Sequence, residues 1–234
     1  MQQGHALSFS MQCAIFGFGW AAYQYLHNFV PIIYNKNRIG FWMSFIFIVS
    51  LAIGFFGLSR LTKSDWSVFF GIGVLTFCYA LPFGAKMGLR FVPTLKVFVV
   101  IISWTAMAML PLVSLPRMVF VWVSIKAALW ILCLMLPFEL RDLDKDALSL
   151  KTIPQLLGIS GTKKLGYALL CILCFLAYQT VQITALFWVE ITMLMLLGVA
   201  IKRSPKQTTL FTSFWVEGIP IVWLLGSTLL LTLY

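Results

Sequence analysis

The stretch Met118-Val-Phe-Val-Trp-Val-Ser-Ile-Lys-Ala-Ala-Leu-Trp-Ile-Leu-Cys-Leu-Met-Leu-Pro137 is followed at once by Phe138-Glu-Leu-Arg-Asp-Leu-Asp-Lys-Asp146. About 20 consecutive apolar residues are enough for a helix that crosses the hydrocarbon core of a bilayer. The segment after it carries Glu139, Asp142, Asp144 and Asp146, four of the seven acidic residues of the chain. The stretch therefore predicts a membrane helix that ends in a cluster of carboxylates.

Apolar stretches of similar length recur along the whole chain. Only 10% of the 234 residues are charged and the mean hydropathy is +0.96, which is far from the composition of a soluble domain. Every backbone amide must be paired within lipid, so helices are the expected spanning elements. We expect one all-α domain over residues 1–234, a polytopic bundle of about eight transmembrane helices, near 7–34, 41–59, 66–84, 95–115, 118–137, 165–180, 183–201 and 213–233, with a loop at 138–164.

The basic residues predict the orientation of this bundle. With eight crossings, 13 Lys and Arg residues fall on one side, 3 on the other, and Lys126 lies within a helix. Cytoplasmic loops are enriched in Lys and Arg, so the side with 13 is expected to be cytoplasmic, and it carries the loop 138–164. The net charge of +10 therefore reflects topology, not nucleic-acid binding. The expected location is a cell membrane, most simply the bacterial inner membrane.

The acidic cluster is the leading candidate for a site of chemistry. Glu139, Asp142 and Asp146 are spaced i, i+3, i+7, so a helix would place them on one face, where they repel one another. A divalent cation relieves that repulsion, and hard oxygen ligands suit Mg²⁺. In the alternative interpretation, Arg141 and Lys145 pair with the acids in a solvated loop. Lys151 and Thr152, which follow the cluster, are candidate ligands for phosphate oxygens.

The run from Glu139 to Gly158 resembles the second aspartate-rich motif of the UbiA-type intramembrane prenyltransferases, with Glu139 in place of its first Asp. The segment from Tyr79 to Lys96 is similar to a tyrosine- and proline-containing loop of that family. The resemblance implies Mg²⁺-dependent transfer of a polyprenyl group from a prenyl diphosphate to a lipophilic acceptor. Asp142 and Asp146 would be catalytic, Glu139 would share the metal, and the implied substrate ligands are Lys151, Thr152, Lys86, Arg90, Tyr79, Gln24, Asn28 and Glu217.

Two features keep other functions open. The first acidic motif of the family has no counterpart in Tyr23-Gln-Tyr-Leu-His-Asn28, and its first helix has none upstream. A catalytically inactive relative that binds lipid or a protein partner is therefore one alternative. Lys126 and Glu190, each within a predicted span, are expected to form an ion pair, or to serve a small transporter as its functional pair.

Overall fold

The chain is all-helical over the part that the structure describes. This computed structural model describes residues 8–26, 41–80, 95–113, 115–144, 150–181, 183–204 and 211–233. These ranges hold eight α-helices: α1 (Phe9–Gln24), α2 (Phe41–Leu58), α3 (Lys63–Ala80), α4 (Leu95–Met109), α5 (Arg117–Arg141), α6 (Ile153–Thr180), α7 (Thr184–Arg203) and α8 (Glu217–Leu233). A 3₁₀ turn, Leu110–Leu112, follows α4, and a π-helix, Phe211–Val216, precedes α8. The predicted all-α class is confirmed.

Five helical stretches are long and apolar enough to cross a membrane: α2, α5, α6, α7 and the stretch Leu95–Leu112. Shorter apolar helices run over Asp65–Tyr79 and Phe214–Leu230. Many large apolar side chains on these helices are exposed, for example Phe70 and Phe41, each at 75%. A helix that shows apolar side chains outward suits a lipid environment, so the architecture is that of a multi-pass membrane protein.

The acidic segment, Glu139 to Asp146, begins within α5 and continues into a connection that is shorter than the predicted loop 138–164. Helix α5 continues one turn past Pro137 to Arg141, and α6 already begins at Ile153. The residues around Ile153 explain why α6 starts earlier than predicted. The Thr152 N–H donates to Gln155 Oε1 at 3.0 Å, and Pro154 lies in the first turn. Such a polar residue before the helix, a Gln three positions later and an early proline are typical of a helix N-terminus. Inside α6, Gly158 has φ +70° and interrupts the helix.

The described residues group into two compact units, 1–121 and 122–234. In the first unit, α1 packs against α2 through small residues. A Cβ atom on Gly17 would lie 2.6 Å from Gly54 Cα and 2.7 Å from Ser50 O, so the two backbones touch there. A second close approach joins Gly57 to Ser10 and Ala14. Small residues allow this closeness, which is a common way for helices to associate in lipid.

The second unit has a core of larger side chains. The fully buried residues include Cys133 and Leu136 of α5, Leu173 of α6, and Leu197 and Ile201 of α7. Val216 and Ile219 add the chain near the start of α8 to the same cluster. Helices α5 to α8 therefore share one apolar core, and the acidic segment lies where α5 leaves it.

Candidate functional site

Glu139 is the buried carboxylate of the acidic segment. It lies in the last turn of α5, and only 1% of its surface is exposed. Its neighbours in sequence, Phe138 and Leu140, are apolar, and Leu140 is fully buried. An ionised carboxylate in such a place is costly unless a charged or hydrogen-bonding partner compensates it. Glu139 is therefore a buried carboxylate at an otherwise apolar end of α5.

Asp142 lies one residue beyond the helix and is paired with its neighbour. Its N–H still donates to Phe138 O at 2.9 Å, so it continues the helical hydrogen bonding. Arg141 Nε donates to Oδ1 at 2.8 Å and Arg141 Nη2 to Oδ2 at 2.7 Å, and both side chains are about one fifth exposed. The alternative interpretation, in which Arg141 pairs with an acid, is thus confirmed for Asp142.

The predicted stripe of three carboxylates is visible only in part. Glu139 and Asp142 are one helical turn apart, whereas Asp146 lies outside the described residues. Asp144, the fourth acid, is in an exposed turn. Among the residues that the structure describes, no group of three or more His, Cys, Asp and Glu side chains is arranged to hold a metal ion. The Mg²⁺ prediction thus depends on the carboxylate oxygens of Glu139 and Asp142, which the structure describes, and on those of Asp146.

Lys151 and Thr152 occupy the start of α6. Lys151 is exposed and has φ +46°, a left-handed conformation that a non-glycine residue adopts at some cost. Thr152 is 4% exposed and is the residue immediately before the helix. The sharp backbone turn at Lys151 therefore directs the chain into α6 and leaves the lysine accessible while the threonine is buried.

The remaining predicted ligands are in several places. Gln24 at the end of α1 and Tyr79 near the end of α3 are each 8% exposed, and both belong to the first unit. Asn28, Lys86 and Arg90 lie outside the described residues. Glu217 is the first residue of α8, and its side chain also lies outside the description. Their roles as substrate ligands stay predictions.

A second polar site lies inside the second unit, and here the predicted ion pair is confirmed. Lys126 Nζ of α5 is 2.8 Å from Glu190 Oε1 and 3.0 Å from Glu190 Oε2 of α7. The carboxylate is almost fully buried, with 3% of the side chain exposed, whereas the lysine is 15% exposed. Intramembrane charges are expected to pair in this way within a bundle.

The sequence interpretation missed the other members of this network. Trp130 Nε1 donates to Glu190 Oε1 at 3.3 Å, and Lys126 Nζ donates to Thr180 Oγ1 at 3.1 Å. Trp130 follows Lys126 by four residues and so shares its helix face, a spacing that the sequence does contain. Thr180, 54 residues away at the end of α6, becomes a partner only through the tertiary fold.

Each unit also contains a cavity. That of the second unit is about 530 Å³ and is bordered by the Lys126–Glu190 pair, Thr180 and the aromatic side chains of Trp122, Phe175 and Trp223. That of the first unit is about 680 Å³ and is almost entirely apolar, with Phe18, Phe55, Phe69 and Trp66 among its walls. Of these two cavities, both lined by described residues, that of the second unit combines apolar walls with paired charges.

Comparison of the chain with protein-family models, with curated proteins and with solved structures finds no significant match.

Proposed function

We propose that this protein is a membrane prenyltransferase, which moves a polyprenyl group from a prenyl diphosphate to a lipophilic acceptor in a Mg²⁺-dependent reaction. The observation that carries the proposal is the burial of Glu139 at the end of a membrane-length helix, one turn from Asp142. The resemblance of the run 139–158 to the second UbiA-type motif supports it. The proposal includes eight crossings, a bacterial inner membrane and a cytoplasmic position for the acidic segment.

The donor chemistry of the site fits a hard divalent cation. Glu139 and Asp142 supply carboxylate oxygens, and Asp146 would supply the third. Arg141 neutralises Asp142 in the structure, and a bound cation would take over that role for this carboxylate. A bound Mg²⁺ would compensate the negative charge of the diphosphate.

The chain's own residues would then bind and orient the donor. Lys151 is an exposed lysine five residues after Asp146 in the sequence, and it would add positive charge to the departing diphosphate together with Lys86 and Arg90. Cleavage of the allylic C–O bond leaves the electron pair on the diphosphate. A nucleophilic acceptor forms the new bond to the allylic carbon and loses a proton. An apolar surrounding keeps water from capturing the cation.

The test is transfer from a labelled prenyl diphosphate in membranes that contain the protein. Asp142→Asn combined with Asp146→Asn removes two carboxylates at nearly constant size, and we expect turnover to be lost. Asp144→Asn is the matched control, because Asp144 is an exposed acid of the same segment and we expect its loss to have little effect. Equal turnover in the double variant and the unmodified protein would exclude the mechanism.

A further inference from the structure

The cavity of the second unit lies far from the acidic segment. Lys126 and Glu139 are on the same helix, 13 positions apart, which corresponds to about 20 Å along the helix axis. Lys126 is in the half of α5 nearer Arg117, and its partner Thr180 is the last residue of α6. A ligand group bound at Lys126 would therefore lie about 20 Å from Glu139, so the cavity requires its own explanation.

We propose that this cavity binds an uncharged lipophilic molecule that carries an oxygen acceptor on a flat ring. The proposal does not depend on prenyl transfer at the acidic segment. A volume of about 530 Å³ and walls that are mostly apolar, with a few convergent polar groups, are typical of a small-molecule site.

The polar wall of the cavity offers a hydrogen-bond donor. The Lys126 side chain is five times more exposed than that of Glu190, 15% against 3%, so Lys126 is the more accessible member of the pair. Its contact with Thr180 is its longest, 3.1 Å, and Thr180 is an exposed residue. An oxygen atom of a ligand is thus able to take the place of the threonine hydroxyl as an acceptor for Lys126.

The charge balance of this wall favours a neutral ligand. Both carboxylate oxygens of Glu190 lie within 3.0 Å of Lys126 Nζ, so the lysine charge is already compensated. An anionic ligand would be repelled by the Glu190 carboxylate, which also borders the cavity. Burial of a further unpaired charge within a membrane span is also costly. A carbonyl oxygen accepts a hydrogen bond but has no net charge. It therefore avoids both the repulsion by Glu190 and the cost of burying an unpaired charge.

The other walls favour a flat ring. Trp122, Phe175 and Trp223 border the cavity, and aromatic rings pack favourably in stacked or edge-to-face arrangements. Trp223 is itself stacked on Trp130, with ring centroids 5.4 Å apart and an angle of 9° between the planes. Trp130 is held in turn by its hydrogen bond to Glu190. One network therefore positions both the donor and an aromatic wall.

Equilibrium binding of three probes that share a decyl tail tests the ligand class. The probes are decylbenzoquinone, decylbenzene and decylbenzoate, each titrated against the purified protein in detergent. We expect the quinone to bind about five-fold more tightly than decylbenzene, the gain of roughly one hydrogen bond. We expect the carboxylate to bind less tightly than the quinone. Equal binding of quinone and decylbenzene, or tighter binding of the carboxylate, would overturn the proposal.

Two variants locate the binding site. Val123→Trp fills the cavity, because Val123 is one of its wall residues, and should abolish quinone binding. Val199→Trp is the matched control, because Val199 is 46% exposed on α7 and does not border the cavity. Quinone binding that Val123→Trp and Val199→Trp affect equally would show that the probe binds elsewhere.

The donor is tested by Lys126→Met together with Glu190→Met, which removes both charges and leaves neither unpaired. In this double variant we expect the quinone and decylbenzene to bind equally. A preference for the quinone that persists would show that Lys126 is not the donor. If the double variant does not fold, the comparison of Val123→Trp with Val199→Trp still decides where the ligand binds.

Discussion

The two units of this chain pack their helices in different ways. In residues 1–121, α1 and α2 approach so closely at Gly17 and Gly54 that a single added methyl group has no room. In residues 122–234, long side chains such as Leu173 and Leu197 fill the space between helices, and a buried ion pair joins α5 to α7. Close backbone contact needs no polar group, whereas an ion pair in an apolar core must be compensated by its surroundings.

The two described ion pairs also differ from each other. The ion pairs Lys126–Glu190 and Arg141–Asp142 both belong to the second unit, and so does the buried Glu139. The first pair joins two helices far apart in sequence, so its partners are held by the fold. The second joins adjacent residues at the end of α5, both about one fifth exposed.

The largest effect is expected from Glu190→Leu, which leaves the Lys126 charge without its partner. Breaking a buried ion pair on one side costs about 3–5 kcal/mol of the free energy of unfolding. Unfolding of the purified protein in mixed detergent micelles would measure it. The free energy of unfolding should fall much less in the double variant Lys126→Met with Glu190→Leu, because no charge is left unpaired. Equal losses of stability in the single and double variants would show that an unpaired lysine charge is not the cause.

A smaller loss in the free energy of unfolding is expected from Gly17→Ala in the first unit. The added methyl group would meet the backbone of Gly54 and Ser50, so the helices must separate, at a cost of about 1–3 kcal/mol. Gly19 lies on the same helix and has open space around it, which makes Gly19→Ala the matched control. The same unfolding measurement should find Gly19→Ala neutral or slightly stabilising, and similar losses for both would be evidence against the close approach.

Gly158 and Gly17 are glycines for different reasons. Gly17 leaves room for a neighbouring helix, whereas Gly158 has a backbone conformation with positive φ. Nothing lies within 4 Å of where its Cβ would be, but its φ of +70° is a conformation that other residues rarely adopt. Its ψ of 171° places it in a region that is almost exclusive to glycine, so Gly158→Ala should cost about 1–3 kcal/mol of stability through the backbone alone. Gly71→Ala in α3 is a suitable comparison, since Gly71 has no positive φ and open space where its Cβ would be. A Gly158→Ala protein of unchanged stability would argue for a regular helix at this position.

The smallest effect is expected from Trp130→Phe. This change removes the indole N–H that donates to Glu190 and keeps an aromatic ring against Trp223, so about 1 kcal/mol should be lost. Trp223→Phe retains the stacking without affecting that hydrogen bond. Losses of the same size in both variants would indicate that packing, and not the hydrogen bond to Glu190, accounts for the effect.

Much of the fold was predictable from the apolar composition and from the polar, proline- and glycine-containing segments that separate the apolar stretches. The run from Met118 to Pro137 predicted a membrane-length helix, and α5 covers it. The start of α6 was predicted at 165 instead of Ile153, because the polar residues Ser160 to Lys164 were interpreted as loop although Thr152, Pro154 and Gln155 form a helix start. A short polar stretch inside a long helix weakens the hydropathy signal without breaking the hydrogen bonds.

The acidic site and the Lys126–Glu190 network differ in how much of each could be predicted from the sequence. The acidic residues are adjacent in sequence, so their clustering needed no tertiary information. The pairing of Asp142 with Arg141 was open as an alternative, since neighbouring charges of opposite sign can pair or separate. The partners of Glu190 come from α5, 60 and 64 positions away, and only one of them is charged. No local pattern indicates that an indole N–H completes the network.

The sequence alone determined that this is an apolar, all-helical chain in which few charges occur within the spans, because composition and helix periodicity act locally. Only the tertiary structure decided which of those charges meet, how closely α1 and α2 approach, and that Lys126, Glu190 and Trp223 enclose a common cavity. The reason is geometric. Contacts between helices depend on their crossing and rotation, and these are set by the packing of many side chains together.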